Sequence, residues 1–255
     1  MNFPISEYRP VIYKGLIIDD YLVHPSGEFL NLKPGYNNRV SRVHNRSGLS
    51  DYFGIRIGPI NKRGRRADCA VHHIIFETFP DMVHEPTPLV REFNLDDLKG
   101  EKKHIITETG KEICVSLSID HVDRIPSNNQ PFNLRLSTQI EQALNRGVYG
   151  DSSKYKGVSV GNPRIEARSI SPSKLSWQVK CTVFGPQSPL RLPFRTARFY
   201  PHKTPNAEEL AALKYNEFLL GNLTEVFGSR LGKQIYDEVA YKNVVMPNKQ
   251  LTLNL

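Results

Sequence analysis

The sequence predicts an α+β fold: a mainly β N-terminal region, then a hairpin leading into a short helix, then a three-stranded antiparallel sheet packed on one helix. Three observations predict it. Short apolar runs broken by Gly and Pro turns fill residues 11 to 80. Residues Ile119 to Asn145 read as strand, turn, strand, helix. Apolar alternation from Trp177 to Val183 precedes a helix signal near residue 204.

At 255 residues the chain has room for two or three modules, and 39% hydrophobic against 24% charged residues argues for folded structure rather than disorder. Its 34 Lys and Arg outnumber 26 Asp and Glu, a formal +8 with a pI near 9.3. Such an excess favours a polyanionic partner through counterion release. No apolar run approaches membrane-spanning length and no basic amphipathic helix is evident, so a membrane role is not expected. The opening MNFPISEYRP lacks the apolar stretch of a signal peptide, which leads us to expect a cytoplasmic protein. Cys69, Cys114 and Cys181 are odd in number and far apart, and read as small buried hydrophobes rather than a disulfide framework or zinc knuckle.

Along the N-terminal region, strands are expected at Leu16 to Ile18, Phe29 to Leu32 and Tyr52 to Ile57, with turns at Pro25-Ser26-Gly27 and Pro34-Gly35. From Arg39 to Arg66 eight basic residues stand against one acid, Asp51, and Arg63, Arg65 and Arg66 are candidate phosphate contacts. Val71 to Phe79 predicts a short helix with Val71, Ile74, Ile75, Thr78 and Phe79 on one stripe, stopped by Pro80. Residues 81 to 118 read as an inserted excursion.

Ile119-Asp120-His121-Val122 has strand alternation, yet sets an acid beside an imidazole. Asn128, Asn129 and Pro131 form a turn, Leu134-Arg135-Leu136 a second strand, and Thr138 with Glu141 a capping box that starts a helix bearing Gln142. Hydrolysis of a phosphodiester needs a base for water and a divalent cation for the phosphorane charge, and His121 with Asp120 supplies the residue types. Neighbouring strand residues face opposite ways, so the two can serve one centre only where the strand ends or twists.

Downstream, Trp177, Val179, Cys181 and Val183 alternate with Gln178, Lys180 and Thr182. A helix is expected from Thr204, with Pro205 in its first turn, Glu208 and Glu209 near its positive end, and Leu210, Leu213 and Phe218 packing on the strands. Gly157-Val158-Ser159-Val160-Gly161 fits the Gly-x-Ser-x-Gly nucleophile elbow, but Asn162-Pro163 break the required helix, and Ser159 reads as a strand residue. A zinc site from Cys69, His72, His73 and Cys114 is disfavoured by irregular ligand intervals.

The segment with Asp120-His121-x-Asp123, Asn128-Asn129 and Asn133-Leu134-Arg135-Leu136 resembles the HNH, or ββα-metal, endonucleases of the homing type found in phages and mobile introns. The resemblance implies His121 as general base, Asp120 as a metal ligand, Asn133 as the Asn that holds the catalytic strand, and Gln142 at the second ligand position. Mg²⁺ or Mn²⁺ would be the cofactor. Val71-His72-His73-Ile74 is similar to the family's preceding helix, with His72 structural. The chain departs from the family at Arg124-Ile125, where Gly-Asn is usual, and at Gln142, where Asn or His is usual. Residues Ser153 to about Gly221 resemble an Apetala/ethylene-response-factor-type DNA-binding domain through Ser153-Lys154-Tyr155-Lys156-Gly157-Val158, Trp177-Gln178-Val179 and the run Ala207 to Tyr215. That implies Lys154, Lys156, Trp177 and Lys180 as DNA contacts.

The expected organisation is a β-rich DNA-contacting region at 1–68, an HNH module at 69–150 with its insertion at 81–118, an Apetala-like domain at 151–228 and a C-terminal tail at 229–255. The expected function is metal-dependent cleavage of double-stranded DNA by a monomer, without a small-molecule cofactor. The alternatives are a DNA-binding protein with weak or lost catalysis, motivated by Gln142, and an RNA-binding protein.

Overall fold

The structure is a computed structural model that describes residues 3–35, 39–41, 43–47, 50–57, 68–96, 101–148, 153–161, 176–181 and 195–244. In chain order the strands and helices begin with β1 (Arg9–Tyr13), β2 (Leu16–Val23), β3 (Phe29–Asn31), β4 (Arg39–Val40), β5 (His44–Ser47), β6 (Ser50–Ile55), β7 (Cys69–Ala70), α1 (Val71–Thr78) and α2 (Pro88–Glu92). There follow β8 (Lys103–Ile106), β9 (Glu112–Val115), β10 (Leu117–His121), β11 (Leu134–Thr138), α3 (Gln139–Asn145), β12 (Val158–Gly161), β13 (Ser176–Cys181), β14 (Arg195–Phe199), α4 (Ala207–Phe227) and α5 (Ser229–Glu238). The α+β class holds, with several small sheets and five helices among the described residues.

The chain divides into two compact units, residues 1–90, 96–99 and 117–137 in the first, and 91–95, 100–116 and 138–255 in the second. The first unit is built on a sheet ordered β1-β2-β3-β4 and a second ordered β5-β6-β7. Pro10, which has no N–H for a ladder, falls at a register shift of β1, an edge strand. Strand β7 runs directly into α1, whose buried residues are Val71, Ile74, Ile75 and Thr78, with Phe79 beneath and Pro80 ending the helix as the periodicity predicts. One core joins Val11, Val23, Phe29, Ile55, Ile74, Ile75 and Phe79 to Ile119 of β10 and Leu134 of β11. The β10–β11 pair is therefore rooted in the N-terminal region. The first part of the excursion lies along β11: the His84 and Thr87 backbone N–H groups donate to the Leu134 and Leu136 carbonyls, each at 2.9 Å.

The second unit holds the antiparallel β8–β9 pair, the capped helix α3, and an antiparallel sheet ordered β12-β13-β14. Helix α4 packs on that sheet and buries Ala211, Ala212, Tyr215, Leu219, Leu223, Val226 and Phe227. Two expectations are corrected here. The helix starts at Ala207 with Asn206 as its left-handed N-cap, not at Thr204, and Leu213 is 47% exposed because the buried stripe runs 211, 215, 219, 223. Leu210 and Phe218 are half-buried. The segment after Gly228 carries helix α5, which packs so closely on α4 that a Cβ at Gly232 would meet the Leu223 carbonyl oxygen at 2.6 Å.

Candidate functional site

Strand β10 ends at Asp120 and His121, and the two side chains take different partners. Arg135, on β11, donates to Asp120 Oδ2 through Nε at 3.2 Å and Nη2 at 3.0 Å, with both side chains buried. The imidazole of His121 pairs through Nε2 with Asn129 Oδ1 at 3.2 Å. Its ring meets Tyr52 and His72 edge-on, at centroid distances of 5.9 and 5.5 Å, and His72 in turn lies 4.7 Å from His73. His121 is 4% exposed and Asp120 5%.

The loop between the strands is tied internally. Asn133 Nδ2 donates to Asp123 Oδ1 at 2.9 Å and to the Asn128 carbonyl at 2.8 Å, while its Oδ1 accepts from the Asp123 N–H at 3.0 Å. Asn128 Nδ2 donates to Asp123 Oδ2 at 2.6 Å, and the Ile125 N–H to Oδ1 at 2.8 Å. Partial burial pushes the Asp123 carboxyl up, but the hydrogen bonds from Asn128, the Ile125 backbone and Asn133, with the nearby His121, outweigh it and hold the group below its ordinary range. Arg124 takes φ of +67°, the left-handed conformation that glycine adopts most readily.

By donor type Asp120 suits a hard divalent ion such as Mg²⁺ or Mn²⁺, and its Oδ2 is already engaged by the Arg135 guanidinium. Gln142 is half-buried on α3, in the second unit. Helix α3 opens with the predicted capping box: Thr138 Oγ1 accepts from the Glu141 N–H, and the Glu141 carboxylate accepts from the Thr138 N–H. Among the described residues no group of three or more His, Cys, Asp and Glu side chains is placed to hold a metal ion. Cys69 and Cys181 are buried as expected and Cys114 half-buried, with burial pushing the Cys181 thiol up to about 12.

The expected DNA contacts separate. Arg63, Arg65 and Arg66 lie outside the described residues. Lys154 is exposed, 5.0 Å from the Tyr155 ring centroid and 3.8 Å from Glu209. The Lys156 ammonium donates to the carbonyls of Leu144 at 2.8 Å, Arg146 at 2.6 Å and Ala143 at 3.4 Å, at the C-terminal end of α3. Trp177 is half-buried. It shares strand parity with Val179 and Cys181, both fully buried toward α4, and so faces away from Lys180.

Lys180 is exposed on the other face. The register sets Ser159 opposite Gln178, Gln178 opposite Arg198 and Lys180 opposite Thr196, so this face carries Ser159, Gln178, Lys180, Thr196 and Arg198 with no carboxylate among them. Arg198 was not singled out from the sequence, although the alternation of Ala197 and Phe199 with Thr196 and Arg198 contains the signal. Ser159 lies in β12, as expected for a strand residue rather than a nucleophile elbow. Among the described residues no helix is long and apolar enough to cross a membrane. Comparison with protein-family models, curated proteins and solved structures found no match.

Proposed function

We propose that the chain is a metal-dependent DNA endonuclease of the HNH kind, with His121 as general base and the open face of the β12-β13-β14 sheet docking on duplex DNA. The observation that carries this reading is the loop clamp. Asn133, Asp123 and Asn128 hold the segment after His121 by hydrogen bonds at 2.6 to 3.0 Å, the rigidity a base needs to work at one phosphorus centre. Held by its bond to Asn129 Oδ1, the His121 imidazole would take the proton from the attacking water. Asp120 would hold Mg²⁺ or Mn²⁺. A bound cation would supply charge stabilisation at the phosphorane and the leaving oxygen. Lys180 and Arg198 contact phosphates, and Gln178 reaches base edges.

One observation favours a second reading, a DNA-binding protein in which the nuclease-like module is a scaffold. His121 and Asp120 are buried, and the carboxylate already faces a guanidinium.

Plasmid nicking with Mg²⁺, Mn²⁺ and chelator separates the two. The expected result is chelator-sensitive cutting that His121→Ala lowers by roughly 10² to 10⁴-fold with duplex affinity retained. Cutting at the parental rate by His121→Ala refutes the base. No cutting with either ion, before or after Gln142→Asn, favours the scaffold reading. In parallel, Lys180→Ala with Arg198→Ala should reduce the salt slope of duplex binding by about 2, near one per phosphate contact. An unchanged slope refutes the sheet as the interface, and competition with structured RNA tests the choice of DNA.

A further inference from the structure

We infer that Lys156 is a positioning residue which fixes the C-terminal turn of α3 to the sheet body, and that it is not a phosphate contact. The inference rests on the nuclease reading above only for its effect on cutting.

Helix α3 has seven residues, a length at which an isolated helix is marginal and both ends must be secured from outside. Its N-terminus is secured by Thr138 and Glu141. At the other end the carbonyls carry partial negative charge, and a compact ammonium is suited to meet several at once. Lys156 Nζ reaches three of them, from Ala143, Leu144 and Arg146, and the Tyr241 N–H adds a bond to the Leu144 carbonyl at 3.0 Å.

The backbone beneath this ammonium is anchored in the sheet body. The Lys156 N–H donates to Asn243 Oδ1 at 2.7 Å, and Asn243 Nδ2 donates back to the Lys156 carbonyl at 3.0 Å and to the Ala212 carbonyl of α4 at 3.3 Å. One residue on, the Gly157 carbonyl accepts from the Lys180 N–H of β13 at 2.8 Å. Gly157 has φ of +69°, and a Cβ there would meet the Tyr215 ring at 2.2 Å, so this turn is seated directly on α4. Lys156 is thus a bridge whose foot stands on the sheet and α4, and whose head holds the helix that carries Gln142.

The test uses the full chain and Lys156→Met, which keeps the aliphatic stem. Amides of the last turn of α3 should exchange with solvent about fivefold faster or more, the size expected for losing a charged helix cap. Lys156→Arg should restore the protection. The salt slope of binding to a plain duplex should stay at the parental value, and plasmid cutting should fall. A second measurement needs no variant: in the parent chain Lys156 should acylate more slowly than exposed Lys154, with or without duplex. The inference is overturned if α3 exchange is unchanged in Lys156→Met, if the slope drops by about 1 as for a lost phosphate contact, or if Lys156 labels as fast as Lys154 and only duplex protects it. Failure of the nuclease reading leaves the exchange and labelling results standing, so the two outcomes are distinguishable.

Discussion

Replacing Arg135 with Met removes one half of the buried pair with Asp120 and leaves the other half charged. The side chains of Arg135 and Asp120 are 6% and 7% exposed, so solvent screens the remaining carboxylate little. Breaking a buried pair from one side costs about 3 to 5 kcal/mol, because the remaining charge loses its compensation while staying in low dielectric. For a chain of this size each kcal/mol moves the midpoint by roughly 2 to 4 °C, so the fall should be about 6 to 20 °C. The transition to follow is that of the unit bearing β10 and β11, by thermal and urea denaturation with a probe in that unit. Asp120→Leu with Arg135→Met removes both charges together and should return most of the loss, to within about 2 kcal/mol of the parent. A single variant within about 1 kcal/mol of the parent, or a double variant as unstable as the sum of the singles, would refute the claim that this pair is a buried, mutually compensating unit.

The Asp123 carboxyl is depressed below 3.8 in the folded chain, so its contribution is fully present above that ordinary value and is lost as pH falls through the folded one. Asp123 is exposed, so solvent screens its interactions; Asp123→Asn should lower stability at pH 6 by at most about 1 kcal/mol and flatten the decline below pH 4, read from urea midpoints across pH; an unchanged acid limb contradicts the loop-clamp assignment. Arg124→Gly relieves a left-handed arginine, which costs about 1 to 2 kcal/mol, against the extra freedom glycine brings to the unfolded chain, for a net gain of roughly 0.5 to 1 kcal/mol. A loss of stability on making this change would mean that the arginine side chain contributes more than its backbone conformation takes away.

Elements whose signal is local were readable in advance. The stripe of α1, the capping box of α3 and the alternation of β13 each depend on residues within one or two turns of one another, where propensity and periodicity act directly. What escaped depends on distant partners. A lysine in a basic chain looks the same whether it faces a phosphate or a helix terminus, and only the fold shows Lys156 beneath α3. Alternation assigned Trp177 and Lys180 to opposite faces, yet both were expected on DNA, because parity does not say which face the helix covers. Asp120 was read from its neighbour in sequence, whereas its partner Arg135 stands 15 residues away across a strand pair. Leu213 looked like core on hydrophobicity alone, but α4 turns its small alanines inward.

The bonds from His84 and Thr87 to the Leu134 and Leu136 carbonyls have a bearing on how such a chain tolerates change. They act as a selvedge on a two-stranded ribbon whose second border would otherwise offer bare carbonyls to any passing strand. Trimming or regrafting around residue 100 leaves that hem untouched, whereas a cut that takes residues 84 to 87 lays the border open. Laboratory shortening of this stretch should therefore meet a sharp boundary, with soluble product on one side and clumping through unsealed ribbon on the other.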